Sequence, residues 1–414
     1  MLEKMKSAWR IPELRKKIIY TFGMLLLYRL LCCIPVPGVN IAAVSDAVKN
    51  FSVLDFMNMM TGGSFQNMTI MAMGITPYIN ARIILQLLTV AIPTLEKLAK
   101  EGPEGRKKIT EWTRYLTVAL AFVQAVGLVF AMRANSYGGI WYLVIGISMA
   151  AGTALAMWVG ERITENGIGN GISLLIMAGI VSNMFNWSRQ AVVGLIDGTV
   201  GIIAVLVVVL AFLVMIVAIT YVDMGERRIP VQYAKRMVGR KMYGGQSTHI
   251  PMKLNSTGVM PLIFGFAILQ FPATVFAFFP TSGINLWWQG FQSGVWYQVV
   301  LAVLIIAFTY FYTGITFNPA DISKNMQQNG GIIPGIRQGR ATTDYLARVS
   351  SRLTLFSALF LAVLATIPTI ITRLFGVSTP FAASSVLIAV SVGIETIRQI
   401  EAQMVMRHHK GFLG

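Results

Sequence analysis

The 414-residue chain is 55% hydrophobic and 12% charged, and its mean hydropathy is +0.65. An ordinary soluble domain has about 25% charged residues, so this composition excludes a set of soluble domains, a disordered chain and a disulfide-stabilised secreted scaffold. Cys32 and Cys33 are adjacent in an apolar run and are poorly placed to bridge each other. All three histidines lie in polar stretches, so we expect neither a metal site nor a histidine base within a membrane.

Ten segments are long and apolar enough to cross a bilayer, which takes about 20 mostly apolar residues. Because no water reaches the bilayer core, the backbone groups must hydrogen-bond within each segment, which predicts helices. The sequence therefore predicts an all-α polytopic membrane protein with ten transmembrane helices. The spans lie near residues 18–36, 75–93, 112–132, 139–159, 170–186, 198–222, 258–279, 295–316, 353–371 and 381–400.

The distribution of basic residues orients these spans. With both termini in the cytoplasm, 28 of the 34 lysines and arginines lie on the cytoplasmic side and four on the opposite side. Cytoplasmic loops carry an excess of lysine and arginine, so both termini are predicted to be cytoplasmic. The same asymmetry accounts for most of the net charge of +17, which therefore does not indicate a nucleic-acid-binding domain.

Ten spans with both ends on one side can divide into five and five, and an odd number per half inverts the second half relative to the first. Inverted repeats are common in membrane transport folds. We predict an N-terminal half over residues 1–190 and a C-terminal half over residues 191–414. The prediction rests on the number of spans, because the two halves share no clear sequence identity.

The segment before span two, residues 51–69, is apolar enough to leave water yet too short and too polar to span. Such a composition is typical of a re-entrant or interfacial element. We expect residues 54–66 to form a movable element inside a cavity, and the alternative is an external amphipathic loop. Its candidate packing residues are Leu54, Phe56, Met57 and Met60, and Gly62 and Gly63 are expected to loosen its backbone.

The predicted spans are nearly free of acidic residues, and the deepest of these is Glu395, near the end of the last span. Ion- and proton-coupled carriers usually keep ionisable groups near the bilayer midplane, so this scarcity argues against a proton-coupled solute carrier. Arg82 in span two is an exception. An arginine at a helix centre costs about 2.5–3.5 kcal/mol, so we expect Arg82 to face protein or water or to lie shallower in the membrane than the span boundaries suggest; the alternative is that it acts only as a packing bridge.

Two long basic loops are predicted on the cytoplasmic side, over residues 223–257 and 317–352. In the first, Ile229, Val231 and Tyr233 alternate with polar residues, which predicts a short strand or hairpin. In the second, closely spaced glycines and prolines shape the loop. The loops either only satisfy the topological charge bias or form a docking surface for an acidic partner or RNA phosphate. The candidate docking residues are Arg227, Arg228, Lys235, Arg236, Arg337 and Arg340.

Enzyme signatures are missing from the sequence. It has no phosphate-binding loop that ends in Gly-Lys-Ser/Thr and no His-Glu-x-x-His helix. We therefore expect no catalytic residue, no metal ion and no cofactor. The glycine-rich run at residues 167–171 lies between two hydrophobic spans, which indicates a tight turn between spans four and five.

Six stretches resemble the SecY family, the channel subunits of the protein-export translocase, and the resemblance covers nearly the whole chain. They are IPVPG at 34–38, MGITPYINA at 73–81, ITENGIGNGIS at 163–173, ERRIPVQYAKR at 226–236, LNSTGVMPLIF at 254–264 and NPADISKNMQQNGGIIPGIR at 318–337. The chain departs from the family at Arg82, where a small polar residue is expected, and at Gln338, where the family usually has proline.

The resemblance implies ten spans in two inverted halves that close around an hourglass-shaped pore. The segment before span two would be the plug that fills the external funnel, and the gap between spans two and seven would be a lateral gate toward lipid. A ring of aliphatic side chains would form the constriction. Carried over by motif, the ring residues are Ile79, Ile83, Ile176, Ile180, Ile263 and Ile388.

The resemblance also implies a function and partners. A protein-conducting channel of the bacterial plasma membrane would pass unfolded secretory polypeptides across the bilayer and release hydrophobic segments into lipid. Because the chain has no nucleotide site, a SecA ATPase or a ribosome docked on the basic loops would supply the energy, with SecE and SecG as membrane partners. The alternative function is a secondary carrier for a small solute, while a membrane-embedded hydrolase lacks an identifiable nucleophile–base pair.

Overall fold

The computed structural model describes residues 11–41, 61–131, 138–198, 201–233, 236–238, 241–243, 247–277, 283–375 and 383–410, with Trp9, Val44 and Asn58. Its first helices are α1 (Pro12–Leu31), α2 (Thr76–Ala91), α3 (Pro93–Lys100), α4 (Pro103–Ala131), α5 (Trp141–Asn166), α6 (Gly171–Ile196) and α7 (Ile202–Met224). The others are α8 (Met260–Ala277), α9 (Gly283–Ser293), α10 (Val295–Thr316), α11 (Pro319–Gln328), α12 (Arg340–Phe375) and α13 (Ala383–Lys410). A helix coincides with each of the ten predicted spans.

Within the described residues, six stretches are long and apolar enough to cross a membrane, and they contain α4, α5, α6, α7, α10 and α12. A seventh is present if α2 and α3 count as one span with a bend of 103°. The bend falls at Ile92, whose backbone is extended. Ile92 precedes Pro93, and a proline disfavours the helical conformation in the residue before it. The chain is thus a multi-pass membrane protein, and the number of ten spans stays a prediction.

The chain is mostly helical but not all-α as predicted, because strands lie between α7 and α12. They are β1 (Glu226–Tyr233), β2 (Arg236–Val238), β3 (Lys241–Tyr243), β4 (Ser247–Lys253) and β5 (Gly331–Ile332). Strand β1 lies between β4 and β5 and pairs antiparallel with both, with Ile229 opposite Ile250 and Tyr233 opposite Gly331. Strands β2 and β3 form a separate antiparallel pair. The strand predicted from the alternation at 229–233 is confirmed.

The chain divides into two compact units. The first comprises Met1–Val207, Ala267–Gln292 and Val377–Gly414, and the second comprises Val208–Phe266 and Ser293–Gly376. In the first unit α1 packs against α5 and α6, α4 packs against α2 and α5, and α13 packs against α6. In the second, α10 packs against α12. The predicted division into halves at residue 190 stays a prediction.

The core of the second unit joins the two loops that the sequence presents as separate. Ile229 and Val231 of β1 pack in one cluster with Met326 of α11 and Leu346 of α12. All four side chains are buried. The sheet and these helices therefore form one small α/β layer, in which residues from 223–257 and from 317–352 share a hydrophobic core.

Candidate functional site

The segment that leads into α2, residues 61–75, is mostly buried within the first unit. It folds back on Asn58, whose carbonyl oxygen accepts hydrogen bonds from the Gly63 amide over 3.0 Å and from the Thr61 hydroxyl over 3.2 Å. The Asn58 side chain accepts from the Gln66 amide over 3.0 Å. A polar loop can leave water in this way because its polar groups find internal partners.

The apolar side of this segment belongs to the main core of the first unit. Phe65, Met68 and Ala72 are fully buried. They pack in one cluster with Val129 of α4 and Met149 of α5. These residues were not among those predicted from the sequence, although their spacing of three and four positions is a signal for a buried face. The predicted packing residues Leu54, Phe56, Met57 and Met60 lie outside the described residues.

The IPVPG stretch at residues 34–38 supports the segment from the end of α1. The Val36 amide donates to the Met68 carbonyl oxygen over 2.9 Å, and the Ile70 amide donates to the Ile34 carbonyl oxygen over 2.9 Å. Pro35, which has no amide to donate, forms an antiparallel bridge with Thr69. Residues 34–36 therefore pair with residues 68–70 through backbone hydrogen bonds, as two short strands would.

The two predicted plug glycines form a defined turn. Gly62 and Gly63 have φ angles of +66° and +87°, in the left-handed region that favours glycine. A Cβ atom at Gly62 would lie 2.9 Å from the Gly179 carbonyl oxygen of α6. The turn therefore lies against α6 next to Ile180. From α1, Arg29 Nη2 donates a hydrogen bond to the Gly62 carbonyl oxygen over 3.1 Å.

Five of the six predicted ring isoleucines belong to the first unit: Ile79 and Ile83 on α2, Ile176 and Ile180 on α6, and Ile388 on α13. Ile79 is half-buried, and the other four are buried. Ile79 and Ile176 line one cavity of about 10 Å³ together with Thr61, which has room for about one water molecule. The structure thus brings α2, α6 and the buried segment together at these isoleucines. Ile263 is half-buried on α8 in the second unit.

Arg82 belongs to a polar cluster in the first unit. Its side chain lies close to that of Tyr78, one turn earlier on α2. Tyr78 also interacts with Arg114 of α4 and Glu161 of α5, which form an ion pair with 2.9 Å between Nε and Oε1. Arg82 is exposed, and its polar neighbours explain how α2 accommodates an arginine, as expected for a residue that faces polar protein groups.

Four predicted docking arginines lie on the surface of the α/β layer. Arg227 and Arg228 are exposed on β1, and Arg337 and Arg340 are exposed between β5 and the start of α12. Arg228 is paired with Glu226, with 2.6 Å between Nε and Oε1. Because β1 pairs with β5, the two predicted basic loops contribute to one surface. Of the other two candidates, Arg236 begins β2, and Lys235 lies outside the described residues.

The connection that carries Arg337 has a fixed shape. The Thr342 hydroxyl donates to the Arg337 carbonyl oxygen over 2.8 Å, and Gly339 has a φ angle of +85°. Gln338, which departs from the family pattern, donates from its side-chain amide to the Gly331 carbonyl oxygen over 3.1 Å. Its side chain thus ties the connection to β5, and the glycines shape the loop as predicted.

The turn at residues 167–171 connects four helices of the first unit. The Ile168 amide donates to the Thr21 hydroxyl of α1 over 3.0 Å, and the Gly169 amide donates to the Gln399 side chain of α13 over 3.0 Å. The Asn170 side chain caps α6 by accepting from the Ser173 amide. The predicted tight turn is confirmed, and its distant partners could not be read from its own sequence.

Comparisons with known proteins identify the family. The family model for SecY matches residues 69–397. Protein translocase subunit SecY of Mycobacterium bovis is 41% identical over 448 aligned residues, which cover 100% of both chains. Because this relative is a translocase subunit over the full length of both chains, the solute-carrier alternative is set aside.

Solved structures share the fold. One of them has a TM-score of 0.69 at 21% identity, and the match covers 94% of this chain and 92% of that chain. That structure is described as showing that the plug domain of the SecY protein stabilises the closed state of the translocation channel and maintains a membrane seal. Sec61 in the canine ribosome–channel complex from the endoplasmic reticulum has a TM-score of 0.66 at 19% identity, covering 94% and 93%. The resemblance predicted from the six stretches is thus confirmed, and the chain belongs to the SecY family.

Proposed function

We propose that this chain forms the channel through which unfolded secretory polypeptides cross the bacterial plasma membrane and from which hydrophobic segments pass sideways into the lipid bilayer. The proposal includes ten spans in two inverted halves, residues 1–190 and 191–414, with both termini in the cytoplasm. The asymmetry of 28 against four basic residues supports this orientation.

The observation that carries the proposal is the buried segment 61–75. It is a non-helical stretch inside a membrane protein, which is tolerated only where it is buried in protein or lines a cavity. It lies against α1 and α6, beside a cavity that Ile79 and Ile176 line. Such a segment is suited to fill a pore at rest, and we assign residues 54–66, which include its first six residues, as the plug.

The isoleucines Ile79, Ile83, Ile176, Ile180, Ile263 and Ile388 are proposed to form the constriction below this plug. Flexible aliphatic side chains can close around a peptide of varying width and offer no polar site at which it would stall. A narrow apolar ring also excludes water, and so resists ions when the channel is idle. The burial of four of these side chains is compatible with a closed ring.

The α/β layer is proposed as the docking surface for the machine that drives transport. Its exposed arginines, among them Arg227, Arg337 and Arg340, suit an acidic protein surface or RNA phosphates. We propose a SecA ATPase and a ribosome as the alternating partners here, and SecE and SecG as membrane subunits. The fixed backbone around Arg337 supports this role, because a shaped loop presents its charge with little loss of entropy.

Site-specific photo-crosslinking of a stalled, half-exported chain tests the proposal. Crosslinkers at Ile79, Ile83, Ile176, Ile180 and Ile263 should capture the chain. Matched controls are Val123 of α4 and Ile147 of α5, which are apolar and exposed by 61% and 53% in this subunit, and these should be captured far less. Equal capture at the two sets of positions would show that the isoleucines do not line the path.

A further inference from the structure

We propose that Arg29 is a latch that holds the plug in its closed position by joining it to α1 and α6. The proposal rests on the plug assigned above, and it names a positioning residue that none of the family stretches contains. Arg29 lies in the last turn of α1, just before the edge at residues 34–38 that pairs with the segment.

The guanidinium of Arg29, carried by α1, contacts two other elements, the buried segment and α6. Its Nη2 atom donates to the Gly62 carbonyl oxygen over 3.1 Å and also hydrogen-bonds to the Ser182 hydroxyl of α6. Hydrogen bonds from an ionised donor are roughly twice as strong as neutral ones. One side chain therefore fixes the turn of the plug to a helix on each side of it.

The acceptors of Arg29 are neutral. Among the described residues no carboxylate pairs with it, and its Nη1 atom is buried without a hydrogen-bond partner. An arginine inside a membrane protein pairs with an acidic group or with backbone carbonyls. One of the two contacts of Arg29 is to a backbone carbonyl of the segment, so it exists only while the segment is seated. This dependence is what a latch requires.

Gly62 is matched to this contact. Its φ angle of +66° turns the carbonyl toward the guanidinium, and a Cβ atom at this position would lie 2.7 Å from Arg29 Nη1. Only glycine allows both the backbone conformation and the close approach. The conformation of the segment and the position of Arg29 are therefore complementary, and a side chain at residue 62 would separate them.

The accessibility of Ser64 measures the latch directly. Ser64 is 2% exposed, so a cysteine at this position reports release of the segment. In the complete complex, reconstituted in vesicles, Ser64→Cys is combined with Cys32→Ala and Cys33→Ala, and a membrane-impermeant maleimide is added to the external side. Arg29→Met should raise the rate of alkylation by about tenfold or more, as expected for loss of a charge-assisted hydrogen bond.

The matched control is Arg189→Met, which removes an exposed arginine from the same helix that carries Ser182 and should leave the rate unchanged. Arg29→Lys, which keeps the charge but not the planar guanidinium, should give an intermediate rate. A rate for Arg29→Met equal to that of the parent, at equal thermal stability, would overturn the latch. If Arg29→Met does not assemble, Ser182→Ala decides in the same way, since it removes one of the two acceptors.

Failure of the latch and failure of the plug are distinguishable. Deletion of residues 57–65 should let ions through the resting complex in planar bilayers. If the deletion leaks while Arg29→Met changes neither leak nor alkylation, the plug stands and the latch is wrong. If Arg29→Met raises the rate of alkylation while the deletion variant remains ion-tight, Arg29 does hold the segment, but the segment does not seal the channel and the plug assignment is wrong.

Discussion

Phe65→Ala is expected to open the seal of the resting channel, because Phe65 anchors the buried segment. Its side chain is fully buried and packs in one cluster with Val129 and Met149. Truncation of a buried phenylalanine to alanine costs about 3–5 kcal/mol, from lost transfer energy and the cavity that remains. If this loss falls on the seated state of the segment, the equilibrium shifts toward release by about two to four orders of magnitude, at about tenfold per 1.4 kcal/mol.

Two measurements on the purified complex check this expectation. Conductance in planar bilayers without substrate should show frequent openings in Phe65→Ala, while the thermal unfolding midpoint falls by a few degrees. The matched control is Phe185→Ala, which removes a phenylalanine that is 74% exposed on α6 and should change neither. A lower unfolding midpoint with an ion-tight channel would mean that the segment is a fixed part of the core, and it would refute the plug.

Two further predictions concern the α/β layer and the turn at 167–171. Arg337→Glu should abolish motor-driven export in reconstituted vesicles while assembly stays normal, because an exposed charge is reversed at a docking surface; full export by this variant would leave only the topological explanation for Arg337. Gly171→Ala should destabilise the first unit by about 1–3 kcal/mol, because a Cβ atom would overlap the Gly160 carbonyl oxygen. Gly201→Ala, where a Cβ atom meets nothing, should be neutral, and an equal unfolding midpoint for the two variants would contradict the argument.

The helices could be predicted because their signal is local. An apolar run of about 20 residues is visible without knowledge of its neighbours, and each predicted span coincides with a helix. The alternation at Ile229 and Val231 identified β1 for the same reason. The exact extent of a helix could not be predicted from composition. Helix α12, for example, begins at Arg340, well before its apolar stretch.

The contacts of the site were harder to predict, because they join positions far apart in the chain. Arg29 and Ser182 are separated by 153 residues, and Gly169 and Gln399 by 230. The pairing of β1 with β5 likewise joins two loops that are separated in the sequence by three helices, α8, α9 and α10. The contact of Arg29 with the segment could not be predicted, since a backbone carbonyl acceptor leaves no trace in the sequence.

Helix α12 has a mechanical consequence for the docking surface. It runs over 36 residues, about 54 Å at 1.5 Å per residue, and Pro368 lies inside it, seven residues before its end. Its first residue is the docking candidate Arg340, its first turns are fixed in the core of the α/β layer by Leu346, and the rest is long and apolar enough to cross the membrane. The part of this helix that precedes Pro368 has no proline and transmits displacement along its length as a stiff rod. A machine that pushes on the arginines would therefore tilt a helix inside the bilayer without itself entering the lipid.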